Sequence, residues 1–251
     1  MSSVKKYILE SLKDQKEIFG DILYEKSINI EVKERQEIKS DRWHVAEKTE
    51  VKTDNNLFME DFQKADNLAS LNDMIKECQK CSLGKTRKSF VFGVGNPNAD
   101  IMLIGEAPGA DEDEQGIPFV GRAGKLLTDI LIAINLQRDE VYIANIVKCR
   151  PPKNRNPLPE EMETCMPYLH KQIELVKPKV ILCLGLVASN ALLKNKSTLT
   201  GLRGNVYELN DIKVMATYHP AALLRNPNWK KGCWEDVKKF RKLYDELVAR
   251  N

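Results

Sequence analysis

No stretch of this 251-residue chain is apolar for the length that a membrane span requires. The first residues, MSSVKKYILE, lack the apolar core of a secretory signal, so the protein is expected in the cytoplasm. No segment repeats and none is low-complexity. Residues 1–65 contain no proline and a single glycine, Gly20. A large excess of charge is also missing, since the net charge is only +3. That charge is uneven: residues 1–65 hold 12 Lys+Arg against 14 Asp+Glu, and the rest hold 27 against 22. A surplus of that size is compatible with phosphate contacts and does not establish them.

What is present describes a soluble globular protein, 42% hydrophobic and 30% charged, long enough for one α/β core plus an appendage. Residues 1–66 read as a charged N-terminal extension, partly helical and partly a solvated tether. Val4, Ile8, Leu12, Ile18 and Ile22 recur among its charges at helical spacing. It is either a partner- or DNA-binding arm or a dispensable extension. Residues 67–251 read as the folded domain, expected as a monomer.

The stretch Asp100–Leu127 organises that domain. Ile101–Ile104 is a short apolar run that reads as a buried strand. A loop rich in Gly, Pro and carboxylates follows. Leu126, Leu127, Ile130, Leu131 and Ile134 are then spaced to form one face of a helix. Ligands in open α/β sheets bind just beyond the carboxyl ends of the strands. Further strands are expected at Val141–Val147, Lys179–Leu184 and Ile212–Thr217, with Phe90–Val94 as an edge or extended segment. Helices are expected at Leu68–Ile75, Glu160–Val176, up to Leu193, and Trp234–Val248. Four alternations of strand and helix predict a parallel sheet covered on both faces. Glu106, Asn145 and His219 fall at strand ends and so converge on one rim.

Six cysteines are present: Cys78, Cys81, Cys149, Cys165, Cys183 and Cys233. In a reducing compartment, paired spacings suggest metal before disulfide. Cys78 and Cys81 form a Cys-x-x-Cys pair. Cys149 and Cys165 are widely separated, and their spacing selects neither zinc nor an iron–sulfur cluster. Cys183 and Cys233 read as core thiols.

Several motifs occur in a specific order: Gly105-Glu-Ala-Pro-Gly109, Gly116-Ile-Pro-Phe-Val-Gly-Arg-Ala-Gly124, Tyr142-Ile-Ala-Asn145 with Lys148-Cys-Arg-Pro-Pro152, and His219-Pro-Ala-Ala-Leu-Leu-Arg225. With the four cysteine positions, they make the chain resemble the family 4, iron–sulfur uracil-DNA glycosylases from about residue 68 to the C-terminus. The resemblance implies a three-layer α/β/α sandwich around a four-stranded parallel sheet. It implies that Cys78, Cys81, Cys149 and Cys165 hold a [4Fe–4S] cluster of structural role. It also implies a monofunctional enzyme that hydrolyses the N-glycosidic bond of uracil in DNA during base excision repair.

The residues then take definite candidate roles. Uracil leaves as an anion with charge on O2, and His219 is the candidate donor to it. The Asn145 amide both donates and accepts, which suits O4 and N3–H of uracil. Phe119 would stack on the flipped base. Gly105, Glu106 and Ala107 would line the same pocket. Ala107 stands where the best-known uracil glycosylases carry an Asp, so Glu106 is the expected water-orienting group. Glu112 would share in positioning water or excluding the thymine methyl. Asp111, Asp113 and Glu114 read as solvated loop acids. Leu223 and Leu224 are candidate wedges into the base stack, and Arg225 a candidate for a phosphate or the widowed base. Arg122, Lys148, Arg150, Lys153 and Arg155 are further phosphate candidates. No lysine occupies a motif position that would support lyase chemistry.

Three other readings compete. The substrate could be another deaminated base such as hypoxanthine. The chain could be a catalytically weak DNA-binding or polymerase-accessory module that retains the cluster. It could instead be a zinc-bound binding module.

Overall fold

The computed structural model describes residues 61–249. The periodic segment Val4–Ile22 lies outside the described residues. Phe62 is already part of the packed body: its ring meets Tyr168 edge-on at 4.8 Å between centroids, upstream of the boundary drawn at residue 66.

Six strands form one sheet among the described residues: β1 Val94–Gly95, β2 Ile101–Gly105, β3 Tyr142–Asn145, β4 Val180–Leu184, β5 Tyr207–Leu209 and β6 Ile212–Thr217. Their order is β1-β3-β2-β4-β6-β5. The four central strands are parallel, as expected from the strand–helix alternation. The two edges are antiparallel additions. Only Val94 of the expected Phe90–Val94 segment pairs, together with Gly95. β5 was not anticipated, being three residues long. It is closed onto β6 by Asn210-Asp211, both left-handed, the backbone that a tight hairpin requires.

The layers follow from the alternation of side chains along β2. Ile101 and Leu103 point into one cluster, with Leu127 and Leu131 of helix α3 (Arg122–Ala133) and Val237 and Phe240 of helix α8 (Lys230–Ala249). Met102 and Ile104 point into the other, with Leu71 and Ile75 of α1 (Leu68–Ile75) and Leu169 and Ile173 of α4 (Pro159–Val176). A strand buried on both faces reads as a continuous apolar run, which is why β2 and β4 were legible.

Local chemistry sets the helix ends. Asn67 caps α1: its side-chain oxygen accepts from Ser70 N at 2.8 Å. Pro159 opens α4 at its first turn, where a missing N–H costs nothing. The expected acidic loop holds a short helix, α2 (Ala110–Gln115), which ends on the left-handed Gly116. Asp113 is therefore not a solvated loop acid. It is buried, and its Oδ1 accepts from Lys88 N at 2.9 Å and Ser89 N at 3.3 Å. The remaining helices are α5 (Leu186–Leu193), α6 (Leu199–Leu202) and α7 (Pro220–Arg225). No helix among the described residues is long and apolar enough to cross a membrane.

Candidate active site

A cavity of about 310 Å³ opens beyond the carboxyl ends of β2, β3 and β6. It is lined by Glu106, Phe119, Asn145, His219 and Arg225, among others. A larger, shallow depression of about 1000 Å³ lies beside Phe62, Lys171 and Ile212 and contains none of these groups.

Parallel pairing puts Gly105 directly opposite Asn145. A Cβ on Gly105 would collide with the Asn145 Oδ1 and stand 2.6 Å from the Phe119 Cζ. The glycine thus makes the space in which amide and ring meet. Asn145 is buried at 1% exposure, and among the described residues its Oδ1 accepts no hydrogen bond. An unsatisfied buried acceptor costs about 1–3 kcal/mol, so it marks a place where a ligand donor belongs.

Two further clamps hold Phe119. Its backbone is left-handed, at φ 54°, a strained conformation for an aromatic residue. Its carbonyl packs so tightly on Gly124 that a Cβ there would overlap it. Glu112 fixes the flanking segment: its carboxylate accepts from Gly109 N at 3.0 Å, Val120 N at 3.1 Å and Gly121 N at 3.2 Å. The sequence reading gave Glu112 a role with water or the thymine methyl. With both oxygens engaged by backbone N–H groups, it ties the 105–109 loop to the 116–124 loop.

His219 caps α7, its Nδ1 accepting from Ala221 N at 3.1 Å. Nδ1 is therefore the acceptor nitrogen, and the neutral ring carries its proton on Nε2. Burial, with the Arg225 charge adding to it, pulls its pKa down to about 4. The ring stands 5.5 Å from Phe119, tilted by 33°. Gly185, at the end of β4 with φ 94°, gives it room. Glu106 also lines the cavity, and burial raises its carboxyl above the usual range.

Several DNA-contact expectations change. Leu223 is fully buried, packed in the sheet–helix core, so only Leu224, at 38% exposure, remains as a wedge. Lys148 is also fully buried: its Nζ donates to Asn145 O at 2.8 Å and to Gln172 Oε1 at 2.5 Å. It cannot reach a phosphate. Arg155 is engaged with both oxygens of Glu161, at 2.7 and 2.8 Å, and that contact holds the Glu161 carboxyl at about 2. Arg122 and Lys153 are exposed, and Arg150 is partly so. The sequence reading missed Asn154 and Asn156, which form part of the cavity wall. The polar run Lys153–Asn156 among prolines was the available signal.

All six cysteines are free thiols. Cys78 and Cys81 follow α1, Cys149 follows β3, and Cys165 lies on α4. Burial pushes the Cys149 and Cys165 thiols up, and neighbouring thiols add to it, Cys78 and Cys81 on Cys149, Cys149 and Cys81 on Cys165. Donors face the sulfurs, with Arg87 Nη1 at 3.1 Å from Cys149 Sγ and Tyr168 Oη at 3.3 Å from Cys78 Sγ. Ser82 Oγ donates to Glu161 Oε1 at 2.9 Å, which fastens the Cys81 turn to α4. Among the described residues no three Cys, His, Asp or Glu side chains are gathered tightly enough for a single metal ion.

The family described as the Uracil DNA glycosylase superfamily matches residues 92–243. The type-4 uracil-DNA glycosylase of Archaeoglobus fulgidus is 46% identical over 187 residues, covering 70% of this chain and 94% of that protein. Its counterpart in Sulfurisphaera tokodaii is also 46% identical over 187 residues, covering 71% and 85%. That of Thermotoga maritima is 42% identical over 175 residues, covering 68% and 91%. At these identities and coverages, the chain belongs to the type-4 uracil-DNA glycosylases of the uracil-DNA glycosylase superfamily.

Proposed function

We propose that this protein removes uracil from DNA as a monofunctional glycosylase, leaving an intact abasic site for base excision repair. The observation that carries the reading is the unsatisfied Asn145 Oδ1 in one cavity with the His219 ring, the Phe119 face and the Glu106 carboxyl. The target nucleotide must leave the stack to enter such a cavity. Asn145 then accepts from N3–H and donates to O4, a pairing cytosine cannot match. Phe119 stacks on the ring. The Nε2–H of His219 points its dipole at O2, where negative charge grows as the glycosidic bond lengthens. A donor that is already neutral and oriented does this without losing a proton to the leaving group. Glu106 orients the water that attacks C1′ of the sugar. Glu112 acts by holding the Val120–Gly121 turn. Arg225 faces the backbone or the partner base, and Leu224 fills the vacated stack. Among the described residues no lysine lines the cavity, so no Schiff base forms and the abasic strand stays whole.

Cys78, Cys81, Cys149 and Cys165 fit a [4Fe–4S] cluster. A four-iron cluster gives each thiolate its own iron, so its ligands stand wider apart than those of one ion. The donor set supports this: four free thiols from three chain segments, with Arg87 and Tyr168 donating to the sulfurs. Such a cluster supplies a cross-link between the residue 76–88 segment, the β3 exit and α4.

The test is base release from an oligonucleotide with a single uracil, run beside matched hypoxanthine and thymine substrates and followed by alkali. Alkali-dependent nicking at uracil alone is the expected result. Release of hypoxanthine at a comparable rate would move the substrate to another deaminated base. No release from any substrate would favour a binding module.

A further inference from the structure

The segment from Tyr218 to Trp234 contains no carboxylate and carries Arg225, Lys230 and Lys231. Within it Trp229 is 42% exposed. The ring is nonetheless fixed. It stacks on Tyr218, with centroids 5.1 Å apart and planes 18° from parallel. Tyr218 is held in turn by Arg203, whose guanidinium carbon lies 4.0 Å from the ring centroid and whose Nη1 donates to the Tyr218 hydroxyl at 2.7 Å. Arg203 is anchored to Asp236 at 2.6 Å, and Asp236 also accepts from Thr217 Oγ1 at 2.8 Å. Gly232 lets α8 come this close, since a Cβ there would stand 2.6 Å from Arg203 Nη2. A mostly buried ion pair thus orders an arginine, the arginine orders a tyrosine, and the tyrosine holds an exposed indole flat.

Tyr218 immediately precedes His219, whose ring lines the cavity. Exposed Leu224 lies on α7, between His219 and Trp229 along the chain. The surroundings of Trp229 are polar or basic: Asn226, Asn228 and Lys231 are exposed. A protein partner's interface core favours a wider apolar patch depleted of charge. A flat, preordered aromatic face among cations suits a polyanion with planar bases.

We propose that Trp229 is a stacking platform for an unpaired base of the DNA strand that carries the target nucleotide. The assignment of that strand rests on the glycosylase reading above. Duplex bases are already stacked, so the platform favours single-stranded DNA or a strand opened beside the lesion.

The first experiment needs no catalysis. A uracil-free single-stranded oligonucleotide is titrated against tryptophan fluorescence of the full chain, wild type and Trp229→Leu. The wild type quenches, and the variant loses most of the quench, with Trp43 and Trp234 as remaining emitters. In a second experiment, Trp229→Leu raises KM for a single-stranded uracil substrate by about tenfold. It changes kcat less than twofold and affects a duplex substrate less. Trp229→Phe, which keeps an aromatic face, restores most of the affinity. Equal quench and equal KM in wild type and Trp229→Leu would overturn the proposal and leave Trp229 for a protein contact. A loss of affinity that Trp229→Phe fails to rescue would overturn it too. If no uracil is released by any version but the quench still depends on Trp229, the platform stands and the glycosylase reading falls.

Discussion

Gly105 and Asn145 lie opposite each other across the parallel β2–β3 pair, and the bare Cα of the glycine leaves the Asn145 amide its place in the cavity. A single methyl group should therefore act as a plug. Gly105→Ala is expected to lower uracil release at least ~100-fold, because an added methyl both displaces the amide and presses on the Phe119 ring. Circular dichroism should stay that of wild type. Full activity in that variant would mean that the base binds elsewhere.

Asn145 is argued to read the base by offering one acceptor and one donor. Asn145→Asp removes the donor and leaves acceptors, which face the exocyclic amine of cytosine. Uracil release should fall by about 100-fold, a buried group again being left unpaired. Cytosine release should become detectable. Paired uracil and cytosine substrates give the ratio directly, and an unchanged ratio would remove Asn145 from base recognition.

The pH dependence separates the two candidate catalytic groups. Because the folded pKa of His219 is depressed to about 4, the ring remains neutral from pH 7 down to 5. It therefore contributes no acid limb near the ordinary value of 6.5. The Glu106 carboxyl is raised above 4.5, so its charged form is lost as pH falls through that higher value. Single-turnover release should decline on the acid side, and Glu106→Gln should lower the rate and abolish the decline. His219→Ala should slow release by ~100- to 1000-fold with DNA affinity nearly intact. A limb centred at 6.5 that survives Glu106→Gln would reverse these assignments.

Lys148 clamps the strand end that presents Asn145. Its ammonium is the shared donor to the Asn145 carbonyl and the Gln172 side chain. Gln172 passes the contact on to Tyr142 Oη at 3.2 Å and Phe92 O at 3.0 Å. Lys148→Met keeps the volume but leaves two buried acceptors short of a donor. It should cost about 1–3 kcal/mol in urea unfolding and reduce uracil selectivity. Wild-type stability would show that water replaces the ammonium.

The cysteine assignment has a reading independent of activity. Protein purified without oxygen should be brown, with absorbance near 400 nm from thiolate-bound iron. Cys149→Ser should lose that colour and Cys183→Ser should keep it, since Cys183 sits fully buried within strand β4. Zinc in place of iron in the wild type would overturn the cluster.

The sequence by itself determined the layers and the rim. Short runs such as Ile101–Ile104 and Val180–Leu184, bounded by turn residues, read as strands buried on both faces, and their alternation with helices argues for a parallel sheet. The positions of Glu106, Asn145 and His219 at strand ends follow from the same pattern. Tertiary structure alone decided which polar side chains face the cavity and which are consumed in holding it. Lys148, Asp113 and Glu112 read as surface or chemical groups because sequence carries charge but not the direction of a side chain. Each instead meets backbone groups left without partners where strands end and loops begin. Leu223 and Leu224 are adjacent and identical in type, yet the helical turn of α7 sends one into the core and the other outward. The stack of Arg203, Tyr218 and Trp229 joins residues 26 positions apart along the chain. No local pattern announces it, because only the packing of α8 against β6 brings Asp236 to Arg203.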